Sequence, residues 1–348
     1  MIKRQSFYVL LFFLIASLSC QEESLPSSEF IVISNAGSPA NGIVSTYSYP
    51  SKSFEKEVYR FTSPMFSATI TDAIISENEL YVLKRDGSPA PDKIEVVNTA
   101  DWIAARSANL HLFANFSRIA MQHDKVFVAG SEFNGNLHLL VLNKYTLAKV
   151  DSVFLREYVE IRKMIAHDNK IFISYNFIDS NPKLLVLNAV NYQELKEFDL
   201  PDNCEDLVVD AHGDILAFHI KGLIKIDSKT LEATLIPVSE GKVFYGPGGS
   251  SIGFDRKNNS IYYFSFAAQP APAPFHLSGF DIGTELPIEI SPVFIDASSI
   301  HYNNSVGLIV MSSYDPDINQ GRIRLSDKKG NILDDFHVPN TPLEILFK

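Results

Sequence analysis

The chain has 348 residues, of which 46% are hydrophobic and 20% are charged, and its formal net charge at pH 7 is −11. This apolar content is enough for a large core and argues against a disordered chain. The negative charge disfavours a nucleic-acid partner, because phosphate binding needs a basic surface.

The first 19 residues have the pattern of a secretory signal peptide. Lys3 and Arg4 precede an apolar stretch, residues 7–18, that is too short to span a bilayer. Cys20 follows Ser17-Leu18-Ser19 and resembles the lipidated cysteine of a bacterial lipoprotein, although Ser17 stands where that motif usually has Leu. We expect residues 1–19 to be removed, Cys20 to be lipidated and residues 20–29 to form a tether. Ordinary cleavage beside an incidental cysteine is the alternative.

The residues after Cys20 indicate where the protein is anchored. Gln21-Glu22-Glu23 resembles the short acidic export tag of surface lipoproteins from Bacteroidetes. The prediction is therefore a lipid-anchored protein of the outer membrane, exposed at the cell surface. A plain polar tether, with the protein facing the periplasm, is the alternative. Once the leader is removed and Cys20 is lipidated, Cys204 carries the one free thiol, so no disulfide within the chain is expected, and a small core thiol is predicted there.

From residue 30 onward a unit of four short strands recurs along the chain. Its runs of β-branched and aromatic residues are separated by turns such as His123-Asp124, and no segment has a sustained helical period. The first strands have apolar centres spaced by 43 to 48 residues, at Ile74, Ile119, Ile165, Val208, Ile252, Ile300 and Ile345. Four antiparallel strands in about 45 residues are the size of a β-propeller blade.

The seventh unit is split between the two ends of the chain. Residues 343–347 supply its first strand, and the runs at residues 30–34, 43–49 and 54–61 supply the other three. Joining both ends in one sheet removes the open edges of the ring. The predicted fold class is all-β, a single seven-bladed β-propeller over residues 30–348 whose N- and C-terminal strands close the last blade.

Several segments resemble a known group of propellers. Residues 170–200 look like the YVTN-type, quinoprotein-amine-dehydrogenase-like propellers, and residues 30–61 and 321–347 are similar to surface lipoproteins of Bacteroidetes with that fold. The chain departs from the pattern in a short fourth blade and in lacking a literal Tyr-Val-Thr-Asn. Some members capture cobalamin at the cell surface and pass it to a TonB-dependent transporter. The resemblance therefore implies a binding protein, a cobalamin-like nutrient or cofactor as ligand, and such a transporter as partner.

One face of the predicted ring carries the connections that vary most in length. These join the second strand to the third, at residues 35–41, 86–91, 131–136, 176–182, 267–275 and 314–320. Because variable loops on a rigid scaffold commonly carry binding sites, we expect the ligand there. The candidate residues are aromatic, amide or acidic: Phe66, Phe116, Phe133, Asn134, Tyr158, Phe177, Asn203, Tyr245, Phe266, Gln269, Tyr314 and Asp315. The alternative is that many of these aromatics pack between blades.

The sequence gives little support for catalysis or for a bound metal or cofactor. The histidines have no ligand spacing, and residues 315–321 begin like a calcium loop but lack the glycine and closing glutamate of an EF-hand, so no metal is predicted. No Gly-x-Ser-x-Gly motif occurs. Acidic residues near the starts of first strands could converge as metal ligands do in propeller lactonases: Asp72, Glu205, Asp206 and Asp296. However, Ser117, Lys163 and Ser250 take comparable places. Binding is therefore predicted, with an interaction scaffold or a metal-dependent lactonase-like hydrolase as alternatives.

Overall fold

A computed structural model describes residues 27–35, 42–61, 69–85, 92–110, 116–131, 136–157, 159–177, 181–219, 222–238, 242–243, 252–266, 275–290, 294–295, 298–315 and 317–348. These residues form seven antiparallel sheets in a ring, which confirms the predicted all-β, seven-bladed propeller. Within these ranges no helix has the length and apolar character needed to cross a membrane.

The strands follow one another blade by blade, and the first strand of each blade lies nearest the ring axis. Blade one contains β4 (Thr69–Ser76), β5 (Glu79–Arg85), β6 (Lys93–Asn98) and β7 (Ile103–Asn109). Blade two contains β8 (Phe116–Gln122), β9 (Lys125–Ser131), β10 (Leu137–Asn143) and β11 (Lys149–Arg156). Blade three contains β12 (Val159–His167), β13 (Lys170–Phe177), β14 (Lys183–Asn188) and β15 (Glu194–Asp199). Blade four contains β16 (Cys204–Val209), β17 (Ile215–His219), β18 (Gly222–Ile226) and β19 (Ala233–Ile236).

The remaining blades complete the ring. Blade five contains β21 (Ile252–Asp255), β22 (Ser260–Phe266), β23 (Phe275–Asp281) and β24 (Leu286–Ile288), with the short β20 (Lys242–Val243) and β25 (Phe294–Ile295) added to β22 and β23. Blade six contains β26 (Ser299–Asn303), β27 (Leu308–Asp315), β28 (Gln320–Ser326) and β29 (Ile332–Pro339). Blade seven contains β30 (Thr341–Phe347) followed by β1 (Ser28–Asn35), β2 (Gly42–Tyr49) and β3 (Ser53–Arg60).

The two ends of the chain meet in blade seven. β30 pairs antiparallel with β1, so that Val32 lies opposite Ile345 and Phe30 lies opposite Phe347. The rings of Phe30 and Phe347 are in edge-on contact, with their centroids 5.4 Å apart. The predicted closure of the ring by both terminal segments is therefore confirmed.

The core is divided among the interfaces between neighbouring blades. Leu80 and Val82 of β5 point into the cluster shared with blade seven, whereas Tyr81 and Leu83 point into the cluster shared with blade two. This alternation is the two-residue period of a strand that is buried on both faces. Because every blade packs on both sides in this way, the ring axis itself is left as a channel lined by the first strands.

Most first strands carry a β-bulge close to their start. The pairing register shifts there by one residue, and the residues passed over are Thr71 in β4, Ser117 in β8, Arg162 in β12, Glu205 in β16 and Leu343 in β30. A bulge bends its strand and redirects the next side chain. The following residue in each strand can therefore face the channel.

The two faces of the ring differ in their connections. First strands begin and second strands end on one face, which we call the loop face because it carries the long connections between strands two and three. The tight turns between strands one and two lie on the opposite face, which we call the hairpin face. This arrangement places the bulges at the loop-face end of the channel.

Candidate functional site

Ionisable side chains surround the channel at its loop-face end. We call this region the mouth, and its ionisable residues are Asp72, Arg118, Lys163, Asp206 and Glu344. They come from five different blades and directly follow the five bulges. In the pairing of first and second strands, each of them lies opposite the same position of the second strand, the fourth residue of its buried run. These partners are Leu83, Ala129, Ser174, Phe218 and Ile33. The mouth encloses about 430 Å³. One position of the repeat thus carries an ionisable side chain in five of the seven blades.

Three of these side chains have partners within the mouth. The Asp72 carboxylate accepts hydrogen bonds from the backbone N–H of Ile119 at 2.8 Å and of Ala73 at 3.0 Å. Lys163 Nζ lies 3.5 Å from Asp206 Oδ1. Although burial lowers the pKa of Lys163, the carboxylates, Asp206 foremost, raise it overall. Lys163 therefore stays charged at neutral pH.

Arg118 is held by backbone carbonyls. Its Nε donates to the carbonyl oxygen of Arg162, and its Nη1 donates to that of Ser117 at 2.7 Å. Both carbonyls belong to residues that the bulges pass over, so the bulges also fix the guanidinium. Among the described residues no carboxylate lies within ion-pair distance of Arg118. The mouth therefore contains a positioned cation whose charge is not balanced by direct contact with a described carboxylate.

Glu344 is the acidic counterpart of Arg118. Burial, together with Asp72 and Asp206, raises the pKa of Glu344 to about 8, although Lys163 and Arg118 act in the opposite direction. A carboxyl with this pKa is mostly protonated at pH 7. Within the described part of the chain its carboxyl has no hydrogen bond or ion pair.

One layer deeper the channel is apolar except at one position. The equivalent residues there are Ile74, Ala120, Ile165, Val208, Gly253, His301 and Leu346. His301 is 6% exposed, and its Nε2 has no hydrogen-bond partner among the described residues. Burial lowers the pKa of His301 to about 4, so the imidazole is neutral at pH 7. A Cβ on Gly253 would lie 2.9 Å from the His301 backbone, so glycine is what allows this close approach of two blades.

The hairpin-face end of the channel has a different character. Its cavity of about 490 Å³ is lined mainly by apolar side chains, among them Met121, Met164, Val209, Phe254 and Phe347. Its lining shares His301 with the mouth. The channel is therefore charged at one end and mostly apolar at the other.

Three of the predicted ligand residues are described with their side chains. The Asn203 and Asn176 amide groups are 2.9 Å apart, the Tyr314 hydroxyl donates to Asn319 Oδ1 at 2.7 Å, and Asp315 Oδ1 accepts from the backbone N–H of Asp317. Phe116 begins β8, Phe177 ends β13 and Phe266 ends β22, so their backbones reach the loop face. The other six predicted ligand residues lie outside the described residues: Phe66, Phe133, Asn134, Tyr158, Tyr245 and Gln269. Cys20 lies outside them as well. The ligand role of all twelve stays a prediction.

Other residues that the sequence singled out can be placed as well. Asp72 and Asp206 do converge at the mouth, but together with two cations, whereas Asp296 and Ser250 lie outside the described residues. Nowhere in the described ranges do three His, Cys, Asp or Glu side chains gather as metal ligands would. Cys204 is 2% exposed, and burial raises its pKa to about 12, as expected for a core thiol.

Three residues of the site are absent from the candidates that the sequence suggests. Arg118 and Glu344 lie one residue from positions that the repeat predicts as strand centres, and His301 is one of nine histidines without a ligand spacing. A recurring pattern could have found Arg118 and Glu344: in five blades, an ionisable residue stands just before the apolar core of the first strand, directly after the residue that the pairing passes over.

The fold and the mouth define a class of protein: a seven-bladed propeller whose channel is charged at one end. The chain belongs to the family DUF5074, a domain of unknown function, which matches residues 30–307. None of the curated proteins matches the sequence.

Solved structures share the fold at low sequence identity. A candidate 6-phosphogluconolactonase from Bacteroides fragilis is 9% identical with a TM-score of 0.69, covering 94% of this chain and 99% of that one. The periplasmic gluconolactonase of Pseudomonas aeruginosa is 11% identical with a TM-score of 0.65, covering 92% and 99%. A quinoprotein alcohol dehydrogenase-like protein from Bacteroides thetaiotaomicron is 13% identical with a TM-score of 0.61, covering 92% and 91%. At these identities the likeness concerns the fold alone.

Proposed function

We propose that this protein captures a small polar molecule in the mouth of its channel. The observation that supports this is the convergence of five ionisable side chains at one repeat position, in a site that is partly withdrawn from water. Holding charges there costs free energy. Perturbed charged groups in a cleft are a common mark of a binding or catalytic site. The mouth volume of about 430 Å³ falls within the range of small-ligand sites.

The cellular role that we propose follows the N-terminal sequence. Cys20 carries a lipid, the protein is held at the outer membrane with its propeller at the cell surface, and the captured nutrient or cofactor passes to a TonB-dependent transporter. A cobalamin-like molecule is the sharpest version of this proposal. Such a ligand is larger than the mouth, so it would also have to contact the connections around the mouth on the loop face.

A ligand-dependent thermal shift tests the capture. The chain from Gln21 onward is heated with cobalamin, monosaccharides, sugar acids, amino acids or short peptides, and a binder at one hundred times its Kd should add about 2.7 kcal/mol of stability. Lys163→Gln should reduce the ligand-induced shift. Lys56→Gln, on the exposed outer strand β3, is the matched control and should leave it unchanged. An equal shift in the wild type and in Lys163→Gln would place the ligand elsewhere.

The anchor needs a separate test. Cells that express the full chain are fed a labelled fatty acid, and the label should enter the wild type but not Cys20→Ala. Added protease should then digest the propeller on intact cells if it is exposed at the surface. Protection of a labelled protein would place it on the periplasmic side. Co-purification of a membrane protein without any small-molecule shift would favour an interaction scaffold.

A hydrolase is the second candidate function. Glu344 is a carboxylic acid with a pKa near neutrality beside Lys163, which is the kind of group that serves as a general acid or base. Sugar lactones are the substrates to try, with and without added divalent metal. Turnover that is lost in Glu344→Gln would support this function, and no turnover under either condition would remove it.

A further inference from the structure

The proposed function does not say which class of ligand the mouth binds. The ionisable groups of the mouth that lack a partner indicate that class. Asp72 accepts hydrogen bonds from two backbone N–H groups and also feels the charge of Arg118, although the two side chains are not in ion-pair contact. Lys163 and Asp206 face each other. This leaves Arg118 of blade two and Glu344 of blade seven. They lie on either side of blade one, and neither has an ion-pair partner among the described residues.

Arg118 is suited to an anionic ligand group, and Glu344 is suited to a cationic one. Arg118 has Nη2 N–H donors that no described group accepts, on a guanidinium already fixed by the carbonyls of Ser117 and Arg162. A fixed guanidinium is well suited to bind a carboxylate. Glu344 would ionise if a cation came within a few ångströms, because an opposite charge favours the charged form of a carboxyl.

We propose that the mouth binds a small zwitterion, with the ligand carboxylate on Arg118 and the ligand ammonium group on Glu344. This inference rests on the proposed function and specifies its ligand class. A simple acid would leave Glu344 without a partner, and a simple amine would leave Arg118 without one. A zwitterion has no net charge, so the overall charge of −11 does not repel it. The His301 imidazole also lines the floor of the mouth, and its buried Nε2 has no hydrogen-bond partner among the described residues.

Calorimetric titration with a graded series of ligands tests this assignment. The probes are glycine, β-alanine, 4-aminobutanoate, 5-aminopentanoate and 6-aminohexanoate, each compared with the carboxylic acid and the primary amine of the same chain length. One chain length should bind at least tenfold more tightly than its matched acid and amine. Arg118→Gln and Glu344→Gln should each weaken that binding at least tenfold. The control variants Arg322→Gln, on the third strand of blade six, and Glu57→Gln, on the outer strand of blade seven, should not.

Proton release gives a readout that a structural defect would not reproduce. At pH 7 Glu344 is mostly protonated among Asp72, Arg118, Lys163 and Asp206, so binding of an ammonium group should expel its proton. Titrations in buffers of different ionisation enthalpy should therefore differ for the wild type and agree for Glu344→Gln. Binding of a zwitterion without proton release would overturn the role of Glu344.

The two proposals can fail separately. If an uncharged ligand stabilises the wild type but not Lys163→Gln, while no zwitterion is preferred over its matched acid and amine, the zwitterion inference is wrong and the mouth is still a binding site. If no probe binds and no mouth variant changes any ligand response, both proposals fall together.

Discussion

The closure of the ring by β30 can be probed with one buried side chain. Ile345 is 2% exposed and packs in the cluster between blades six and seven with Phe30, Val32 and Val338. Truncating a buried isoleucine to alanine costs about 2–5 kcal/mol, since it removes apolar contacts and leaves a cavity. Against a typical total of about 5–15 kcal/mol, Ile345→Ala should remove a large share of the stability.

Deleting residues 341–348 should do far more. The deletion removes Ile345 and the partly buried Leu343, Leu346 and Phe347, whose burial contributes about 5 kcal/mol together. It also removes the β1–β30 ladder, whose hydrogen bonds contribute about 1 kcal/mol each. The total approaches the whole stability of an ordinary domain, so the truncated chain should be largely unfolded at 25 °C.

Urea unfolding followed by tryptophan fluorescence measures both effects. The single tryptophan, Trp102, packs against the cluster between blades seven and one, next to the closure. The matched control is Ile332→Ala in the outer strand β29, where Ile332 is 43% exposed, and it should change the stability by no more than about 0.5 kcal/mol. If Ile345→Ala were no more destabilising than Ile332→Ala, the reasoning about closure would be refuted.

Three further predictions concern buried groups elsewhere in the ring. Because the folded pKa of Glu344 is raised from 4.5 to about 8, its contribution to stability is full below pH 4.5 and is lost as the pH rises to 8. Glu344→Gln should therefore gain stability over the wild type from pH 5 to pH 8, and a constant difference would contradict this. Cys204 should react with a thiol reagent only as fast as the protein opens, so rapid labelling in buffer would contradict its burial. Asp210, with a wholly buried side chain 3.0 Å from Lys225 Nζ, has a lowered pKa despite its burial. Asp210→Asn should cost about 2–3 kcal/mol at pH 7 and less as the pH falls below 4, whereas the exposed Asp199→Asn should cost less than about 1 kcal/mol.

The architecture could be predicted from the sequence because each blade repeats the same local pattern of apolar strands and turns. The second strands are nearly uninterrupted apolar runs, such as Leu80 to Leu83 and Ile171 to Ile173, since both faces of every blade are buried. The turns between runs fix the strand boundaries, and the incomplete last unit indicates the closure. These signals are local and periodic, so they can be recognised without any knowledge of tertiary contacts.

The mouth was harder to predict because it depends on register. The repeat spacing makes Ile119 and Ile345 the equivalents of Ile74, but the observed pairing makes Ala120 and Leu346 the equivalents. A slip of one residue exchanges the side chains assigned to the two faces of a strand. The repeat spacing therefore does not assign Arg118 and Glu344 to the channel. It does so for Asp72, Lys163 and Asp206, whose strands it aligns in the observed register. The way these charges are balanced depends on contacts between blades, which the hydrophobic pattern does not encode.

The direction in which the chain enters blade seven bears on how the ring would sit on a membrane. β1 begins at Ser28 on the hairpin face, beside Lys348, whose backbone N–H donates to the Glu29 carbonyl at 2.9 Å. A tether running back from Ser28 to a lipid on Cys20 would leave from that face. The propeller would then stand on its apolar channel end, with the charged mouth turned toward the medium. In the proposed surface-exposed orientation, ligand would arrive from outside the cell, and the proposed transporter in the same membrane would have to meet it over the rim of the ring.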